Sequence, residues 1–325
     1  MDASQTEGAP QERRFKLPRW ISIVLAVAFF AGAIWIIRNE LRQNSPEQIL
    51  GAFQYIATSD VIAAIALVFV SYACLIGCER IALSIMGRSD LPLRRMWRPT
   101  FTAYALGNAI GFSYATVPAA RARLYKDYLN GAQIAALSAI TGATVMLAGS
   151  AVAGTGLLIA GEEIATRTMG TPLLWRLLGC VLVAPAIAWI ITALSAQGGK
   201  MLFGMQVPKR RIAFAQVAMG MADWMAASAV LYILLPGHGD WSFPAFMTVF
   251  LAAGVLGSVS GTPAGIGVFE ASILAFSPDT QHAPTMAAAL IAYRLIWTMA
   301  PLAGAAVLLI YDVVRPYLLR AAKSP

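Results

Sequence analysis

The chain has 325 residues, of which 58% are hydrophobic and only 12% carry a charged side chain. A soluble globular domain has roughly 25% charged residues, so this composition excludes a chain that covers its surface with polar groups in water. The net charge of +8 is dispersed over several polar connectors. It fits contact with anionic membrane lipid and does not indicate a nucleic-acid partner.

Eight apolar runs follow one another along the chain. A helix that crosses a bilayer needs about 20 mostly apolar residues, and the runs are 20–37, 61–86, 101–118, 132–161, 173–195, 213–235, 244–277 and 284–311. Residues 1–19 are expected to form a disordered basic cytoplasmic tail, and residues 319–325 a second short cytoplasmic tail. The connectors are short, so residues 20–318 are predicted to form a single transmembrane domain.

The distribution of Lys and Arg predicts the orientation of these runs. Cytoplasmic connectors carry an excess of both residues, and the segments 80–98 and 200–211 are strongly basic, as are both ends of the chain. The connectors 162–170 and 236–243 contain acidic residues instead. We therefore expect a multi-pass protein of the cytoplasmic (inner) membrane with its N- and C-termini in the cytoplasm.

Run 101–118 does not fit a topology in which every run crosses the membrane and successive connectors alternate between its two sides. Basic residues flank it at both ends, and they would face opposite compartments if the run crossed the membrane. The rule is satisfied if the run dips into the membrane and returns. Gly107, Gly111 and Pro118 suit such a broken, re-entrant path, which is tolerated where protein or a watery cavity surrounds it.

Run 244–277 is too long for one helix of ordinary length. Four helix-breaking residues interrupt it, namely Gly261, Pro263, Gly265 and Gly267. We expect an all-α polytopic membrane protein with about six full spans plus two re-entrant hairpins in an inverted repeat, and eight full spans is the alternative. Transporters with inverted repeats bind substrate where broken helices meet near the midplane.

Charged residues within or beside the apolar runs are the candidates for function. They are Arg121, Arg123, Asp223, Glu270 and Arg294. A charge at a helix centre costs about 2.5 to 3.5 kcal/mol on insertion scales, so each needs a physical reason. One reason is a polar cavity, in which arginines bind a phosphate, carboxylates contact a cationic or hydroxyl head group, and free backbone amides favour anions.

The other reason is structural. Arg294 can form an ion pair with Glu270 or Asp223 that holds two helices together, and intramembrane charges do pair in this way. Arg121 and Arg123 also fit the role of interface anchors that satisfy the cytoplasmic bias of basic residues. The sequence leaves both readings open.

Several enzyme motifs are missing from the sequence. It contains no P-loop and no His-Glu-x-x-His zinc motif. Its two histidines, His238 and His282, lack metal-ligand spacing, and Cys74, Cys78 and Cys180 have no further ligand set to complete a metal site. We expect no catalytic residues, no cofactor and no metal, and therefore a protein that is not an enzyme.

Three stretches carry recognisable motifs. They are Arg121-Ala-Arg123-Leu-Tyr125 with Gly131 after it, Gly261-Thr-Pro-Ala-Gly265-Ile-Gly267-Val-Phe-Glu270, and Tyr293-Arg294. Together they resemble the transmembrane flippase domain of the lysyl-phosphatidylglycerol synthase/flippase (MprF-like) family over roughly residues 15–318. With Asp223 added, the predicted substrate-binding residues are Arg121, Arg123, Tyr125, Asp223, Gly265, Gly267, Glu270 and Arg294.

The resemblance implies translocation of a phospholipid, with aminoacyl-phosphatidylglycerol as one candidate. The transferase domain of fused family members is expected to be absent, so a separate enzyme would supply such a lipid. Outward movement of one positive charge costs about 2.3 kcal/mol per 100 mV, whereas an anionic lipid is helped outward. The alternative function is a membrane scaffold or accessory subunit of an envelope-lipid enzyme, and a homo-oligomer is left open.

Overall fold

A computed structural model describes residues 56–195, 208–235, 241–260, 262–276 and 283–321, with the isolated residues 47, 51, 54 and 237 and two short strands between 201 and 206. The predicted tail 1–19 and the first apolar run, 20–37, lie outside the described residues. His238, Gly261 and His282 also lie outside them.

The described part of the chain is helical apart from two paired strands of two residues each. The helices are α1 (Thr58–Ile85), α2 (Leu93–Ile110), α3 (Ser113–Leu124), α4 (Gly131–Arg167), α5 (Pro172–Ser195), α6 (Arg210–Leu234), α7 (Phe243–Val259), α8 (Val268–Phe276), α9 (Ala283–Tyr293) and α10 (Ala300–Ala321). A 3-10 turn (Pro263–Gly265) separates α7 from α8, and a π-helical turn (Arg294–Met299) joins α9 to α10. Strand β1 (Met201–Leu202) pairs antiparallel with β2 (Met205–Gln206).

Five segments of the described chain are long and apolar enough to cross a membrane. They are α1, α4, α5, α6 and the stretch Ala288–Asp312 that runs from α9 through the π-helical turn into α10. Each coincides with a predicted apolar run to within a few residues. The prediction of an all-α polytopic membrane protein is confirmed, although α10 continues to Ala321, beyond the predicted end of the domain at 318.

Helices α2 and α3 form the first hairpin. The chain reverses at Phe112, whose φ of 48° is left-handed. Tyr125, just after α3, donates its hydroxyl to the Met96 carbonyl at 3.2 Å, near the start of α2, so the two arms are antiparallel. A Cβ on Gly107 would lie 2.5 Å from Val117 Cγ2, which explains the glycine. With 12 residues, α3 is about 18 Å long, too short to cross a hydrocarbon core of about 30 Å.

Helices α7 and α8 form the second hairpin. Gly265 and Gly267, with φ of 68° and 84°, turn the chain. A Cβ on Gly265 would lie 3.0 Å from the Gly257 Cα atom, and the rings of Phe250 and Phe269 meet at 5.5 Å across the two arms. Helix α8 has 9 residues and reaches only about 14 Å. The breaks predicted within runs 101–118 and 244–277 are therefore both present.

Helices α1 and α6 cross each other in antiparallel directions near the centre of the protein. Ser71 contacts Asp223, and Gly77, further along α1, faces Met219, which comes earlier in α6. In chain order each of these helices is followed by a hairpin and then by another long helix. Equivalent helices must be antiparallel in an inverted repeat, so this arrangement agrees with the predicted inversion.

Small residues let the long helices approach one another closely. A Cβ on Gly154 of α4 would lie 2.7 Å from the Gly179 carbonyl oxygen of α5, and one on Gly220 of α6 would lie 2.6 Å from Ala148 Cβ of α4. Close approach of backbones is a main source of helix association in lipid. Helix α2 also contacts the 3-10 turn of the second hairpin, so the two hairpins are neighbours.

Candidate functional site

Arg294 lies where the last long helix departs from α-helical geometry. It begins the π-helical turn Arg294–Met299. Pro301 follows closely, and because it has no N–H and its ring crowds the Trp297 carbonyl four residues earlier, it disfavours regular α-helical bonding there. Single π-helical turns inside helices are frequent at functional sites. The turn places the Arg294 side chain against the tip of the second hairpin.

Arg294 and Glu270 form a partly exposed ion pair at this tip. Arg294 Nε donates to Glu270 Oε1 at 2.6 Å, and Nη1 donates to the Ala264 carbonyl at 3.0 Å. Glu270 Oε2 accepts the N–H of Gly267 at 2.8 Å. The pair therefore joins the 3-10 turn, the start of α8 and the π-helical turn into one polar cluster.

One nitrogen of the Arg294 guanidinium retains unused donors. Nη2 lies 2.6 Å from Glu270 Oε1, but its N–H bonds do not point at that oxygen, and it makes no hydrogen bond with the residues that the structure describes. The distance is that of an ion-pair contact. The side chain of Arg294 is only 10% exposed, so Nη2 is a buried nitrogen whose charge is balanced by Glu270 but whose hydrogen-bonding capacity is not filled by the described residues.

Aromatic rings fix the position of Arg294. Its guanidinium lies 5.4 Å from the centroid of the Phe269 ring, a distance at which cation–π attraction acts. Phe269 stacks on Tyr293 at 5.8 Å, and Tyr293 stacks on Trp297 at 6.1 Å. The Arg294 guanidinium is thus held in place by packed aromatic rings.

The polar cluster opens beside an apolar surface. Val255, Leu256 and Val259 near the end of α7 are exposed, with Val259 at 80%. Ser260 and Gly267 are exposed at the same hairpin tip. In a membrane protein exposed apolar side chains contact lipid tails. The polar cluster therefore borders a surface that suits contact with lipid tails.

Asp223 lies apart from the ion pair but is connected to it through tyrosines. The sequence left open whether Arg294 pairs with Glu270 or Asp223, and the structure places it with Glu270. Asp223 is buried and accepts a hydrogen bond from Ser71 Oγ at 2.5 Å. Tyr72 lies within electrostatic range of Asp223, and Tyr293 within range of Tyr72 and of the Arg294–Glu270 pair.

Arg121 occupies a second, fully enclosed polar site in the first hairpin. It is 1% exposed, and its partner Glu79 is 0% exposed. Both Nε and Nη2 donate to the Glu79 carboxylate, Nε at 3.2 Å. Nη1 donates to Thr141 at 2.9 Å, and Nη2 also donates to the Tyr104 hydroxyl at 3.1 Å. All three nitrogens are thus engaged within the protein, and they fasten α3 to α1, α2 and α4.

The other predicted residues of the first hairpin lie near Arg121 but away from the second hairpin tip. Tyr125 is fully buried, and its hydroxyl bonds to the Met96 carbonyl and to Thr100. Arg123 is exposed on the last turn of α3. Four predicted residues, Gly265, Gly267, Glu270 and Arg294, are therefore brought together, and Asp223 lies outside this cluster with Ser71 as its partner.

Glu79 is a buried charge that sequence reasoning missed. It is the only acidic residue in the run 61–86. The criterion that selected Asp223, an acid inside an apolar run, selects Glu79 as well. In the sequence, Glu79 is followed by Arg80 and therefore resembles the start of the basic connector. In the structure, the Arg80 side chain turns away from Glu79 and donates to the Leu91 carbonyl.

Comparison with known proteins supports the membrane class. No family model matches the chain. It is 28% identical over 299 residues to the uncharacterized protein slr0712 of Synechocystis sp., covering 89% of this chain and 91% of that protein. It is 24% identical over 303 residues to the inner membrane protein YbhN of Escherichia coli, covering 88% and 91%. The chain is a polytopic helical membrane protein. Neither name assigns an activity, so the resemblance to flippase domains stays a prediction.

Proposed function

We propose that this protein translocates a phospholipid across the cytoplasmic membrane, and that the head group passes the polar cluster formed by Arg294, Glu270 and the backbone of Ala264 and Gly267. The observation that carries the proposal is a charged pair at the tip of a short-armed hairpin, beside an apolar exposed surface. The name of the Escherichia coli relative, an inner membrane protein, supports the choice of membrane.

The chemistry of the cluster suits a lipid phosphate. A guanidinium presents paired N–H groups that match phosphate oxygens, and Arg294 Nη2 has donors without a hydrogen-bond acceptor among the described residues. An incoming phosphate competes with Glu270 for Arg294 and for the Gly267 N–H. Glu270, once released, can contact a hydroxyl or ammonium group of the same head group.

The energetics favour an anionic phospholipid. An inside-negative potential assists outward movement of negative charge by about 2.3 kcal/mol per 100 mV, and it opposes a net cationic lipid by the same amount. The potential therefore assists phosphatidylglycerol, whereas lysyl-phosphatidylglycerol, the lipid of the resembling family, moves outward only with coupling. In this proposal the chain performs no covalent chemistry, and another enzyme makes the lipid.

The proposal is tested with purified protein in liposomes that contain fluorescent phosphatidylglycerol or lysyl-phosphatidylglycerol, using a membrane-impermeant quencher. Wild-type protein should move the label between leaflets faster than empty liposomes. Replacing Arg294 by glutamine should slow this movement about tenfold to a hundredfold, because a hydrogen bond to a charged group contributes about 1.5–3 kcal/mol. Arg176→Gln is the matched control, since its Glu162 contact is long, at 3.9 Å, and exposed.

Two outcomes would contradict the proposal. The first is wild-type movement no faster than in empty liposomes for every lipid and ion gradient tried. The second concerns the double exchange Glu270→Arg with Arg294→Glu. Full transport by this exchanged protein would mean that the charges only hold helices together, as expected for a scaffold or accessory subunit.

A further inference from the structure

Asp223 lies at the crossing of the two central helices. It is half-way along α6 and contacts Ser71, which is half-way along α1. At 1.5 Å per residue, about 17 to 21 Å of helix separates this contact from the end of either helix. The carboxyl group therefore lies deep in the membrane, at the point where both halves of the fold meet.

The charge of this carboxyl group has no counter-ion within the described part of the chain. Ser71 supplies its hydrogen bond, and no Arg, Lys or His pairs with it there. Arg294 pairs with Glu270, and Arg121 pairs with Glu79. A buried ion without a partner costs several kcal/mol. The carboxylate needs a cation, and a proton is the smallest that can supply the charge.

Among the described residues, no basic side chain lies near Asp223 to take a proton from its carboxyl group. From α1, the titratable side chains within its electrostatic range are Tyr72, Cys74 and Cys78, none of which is basic. From α4, the contact nearest in sequence is the Val145 carbonyl, which accepts the indole N–H of Trp224 at 3.0 Å, and neither group is titratable. From α9, Tyr293 lies within electrostatic range of Tyr72 and of the Arg294–Glu270 pair, and it is not basic either.

Two buried hydroxyls between Asp223 and the Arg294 cluster support a polar exit path. Tyr72 is 4% exposed, and its Oη faces the Asn108 side chain of α2 without a hydrogen bond of ordinary geometry to the described residues. Thr298 Oγ1, in the π-helical turn that packs on α1, is buried and likewise without such a partner. Buried hydroxyls in native proteins are normally bonded to protein or to ordered water. These two hydroxyls make the region between Asp223 and the Arg294 cluster polar.

We infer that Asp223 is a proton-binding site that couples lipid movement to proton movement. The proton adds to Oδ2 of the carboxylate, because Oδ1 accepts the Ser71 hydroxyl, and it leaves to water on the other side of the membrane, which regenerates the carboxylate. Rocking of the two halves about the crossing of α1 and α6 would change the side from which Asp223 is reached. The coupling rests on the proposed lipid translocation, but the proton site itself does not.

The proton site is tested first without any transport. Infrared difference spectra between acidic and alkaline buffer, on wild-type protein in liposomes, should contain the carbonyl band of a protonated carboxylic acid. Asp223→Asn should remove one such band and Asp223→Glu should shift it. Ser228→Ala on the same helix, where the hydroxyl only bonds the Met225 carbonyl, should leave it unchanged. Spectra of wild type and Asp223→Asn that differ in no carboxyl band would overturn the inference.

Coupling is tested second, by imposing a pH difference across the liposomes. For one proton per lipid, a difference of one pH unit should shift the ratio of lipid between leaflets about tenfold. In Asp223→Asn, whatever rate of lipid movement remains, the ratio of lipid between leaflets should not respond to the gradient. If no variant moves lipid, the proposed function fails while the infrared result still decides the proton site. If wild-type transport ignores the gradient, the coupling is wrong even where the band is present.

Discussion

Replacing Glu79 by glutamine removes the negative charge that balances Arg121 while keeping the shape of the side chain. Both residues are almost fully buried, and the Arg121 guanidinium would retain its hydrogen bonds to Thr141 and Tyr104. Loss of one partner from a buried ion pair leaves an uncompensated charge and costs about 3–5 kcal/mol. We therefore expect Glu79→Gln to lower the free energy of unfolding by about that amount.

Equilibrium unfolding in mixed micelles, monitored by tryptophan fluorescence, measures this difference. Removing both charges, as in Glu79→Leu with Arg121→Met, should restore most of the lost stability, because paired replacement of a buried ion pair by apolar residues is often neutral or stabilising. The exposed pair Arg88–Asp90 supplies the control: Asp90→Asn should change the free energy of unfolding by less than about 1 kcal/mol.

A loss below about 1 kcal/mol for Glu79→Gln would refute the reasoning, since it would mean that water reaches this pair. The double variant also decides the role of Arg121. If it is stable and moves lipid as fast as wild-type protein, Arg121 is a structural residue of the first hairpin. If it is stable but inactive, Arg121 belongs to the substrate path, as the sequence motif predicts.

Two further predictions concern the hairpins. Gly265→Ala should lower the free energy of unfolding more than Gly267→Ala. Both glycines have a left-handed backbone, which costs an alanine about 1–2 kcal/mol, but only a Cβ on Gly265 would crowd the backbone of α7, at 3.0 Å. Equal losses of unfolding free energy in the two variants would contradict this explanation. The second prediction tests whether the first hairpin enters and leaves the membrane on one side. In a cysteine-free background, single cysteines that replace Arg98 and Arg123 should react with an impermeant maleimide from the same side of the membrane, and one that replaces Glu162 should react from the other side. Reaction of the Arg98 and Arg123 positions from opposite sides would instead favour eight full spans.

The long helices were predictable because each is a long apolar run with polar ends. The run 213–235 became α6, Arg210–Leu234, and its neighbours matched equally well. The breaks were predictable from Gly111, Gly265 and Gly267, which lie at the turns with positive φ, but Pro118 lies inside α3 and does not interrupt it. Lipid as a solvent thus makes the secondary structure of such a chain largely a matter of local composition.

The pairing of charges could not be predicted in the same way. Arg121 meets an acid 42 residues earlier in the chain, and Arg294 meets one 24 residues earlier. Such contacts depend on how helices pack, and nothing local in the sequence chooses between Glu270 and Asp223 as the partner of Arg294. The choice follows from the turn at Gly265 and Gly267, which brings Glu270 to the start of the π-helical turn.

The central claim is that a lipid head group contacts the tip of the second hairpin, and photo-crosslinking measures this contact most directly. Phosphatidylglycerol with a photoreactive group on its head group should label the segment 258–270 of wild-type protein strongly. Arg294→Gln should reduce that labelling several-fold while labelling of the exposed face of α5, around Leu177 and Val181, stays constant. Labelling spread evenly over all lipid-facing helices, and unchanged in Arg294→Gln, would contradict the account.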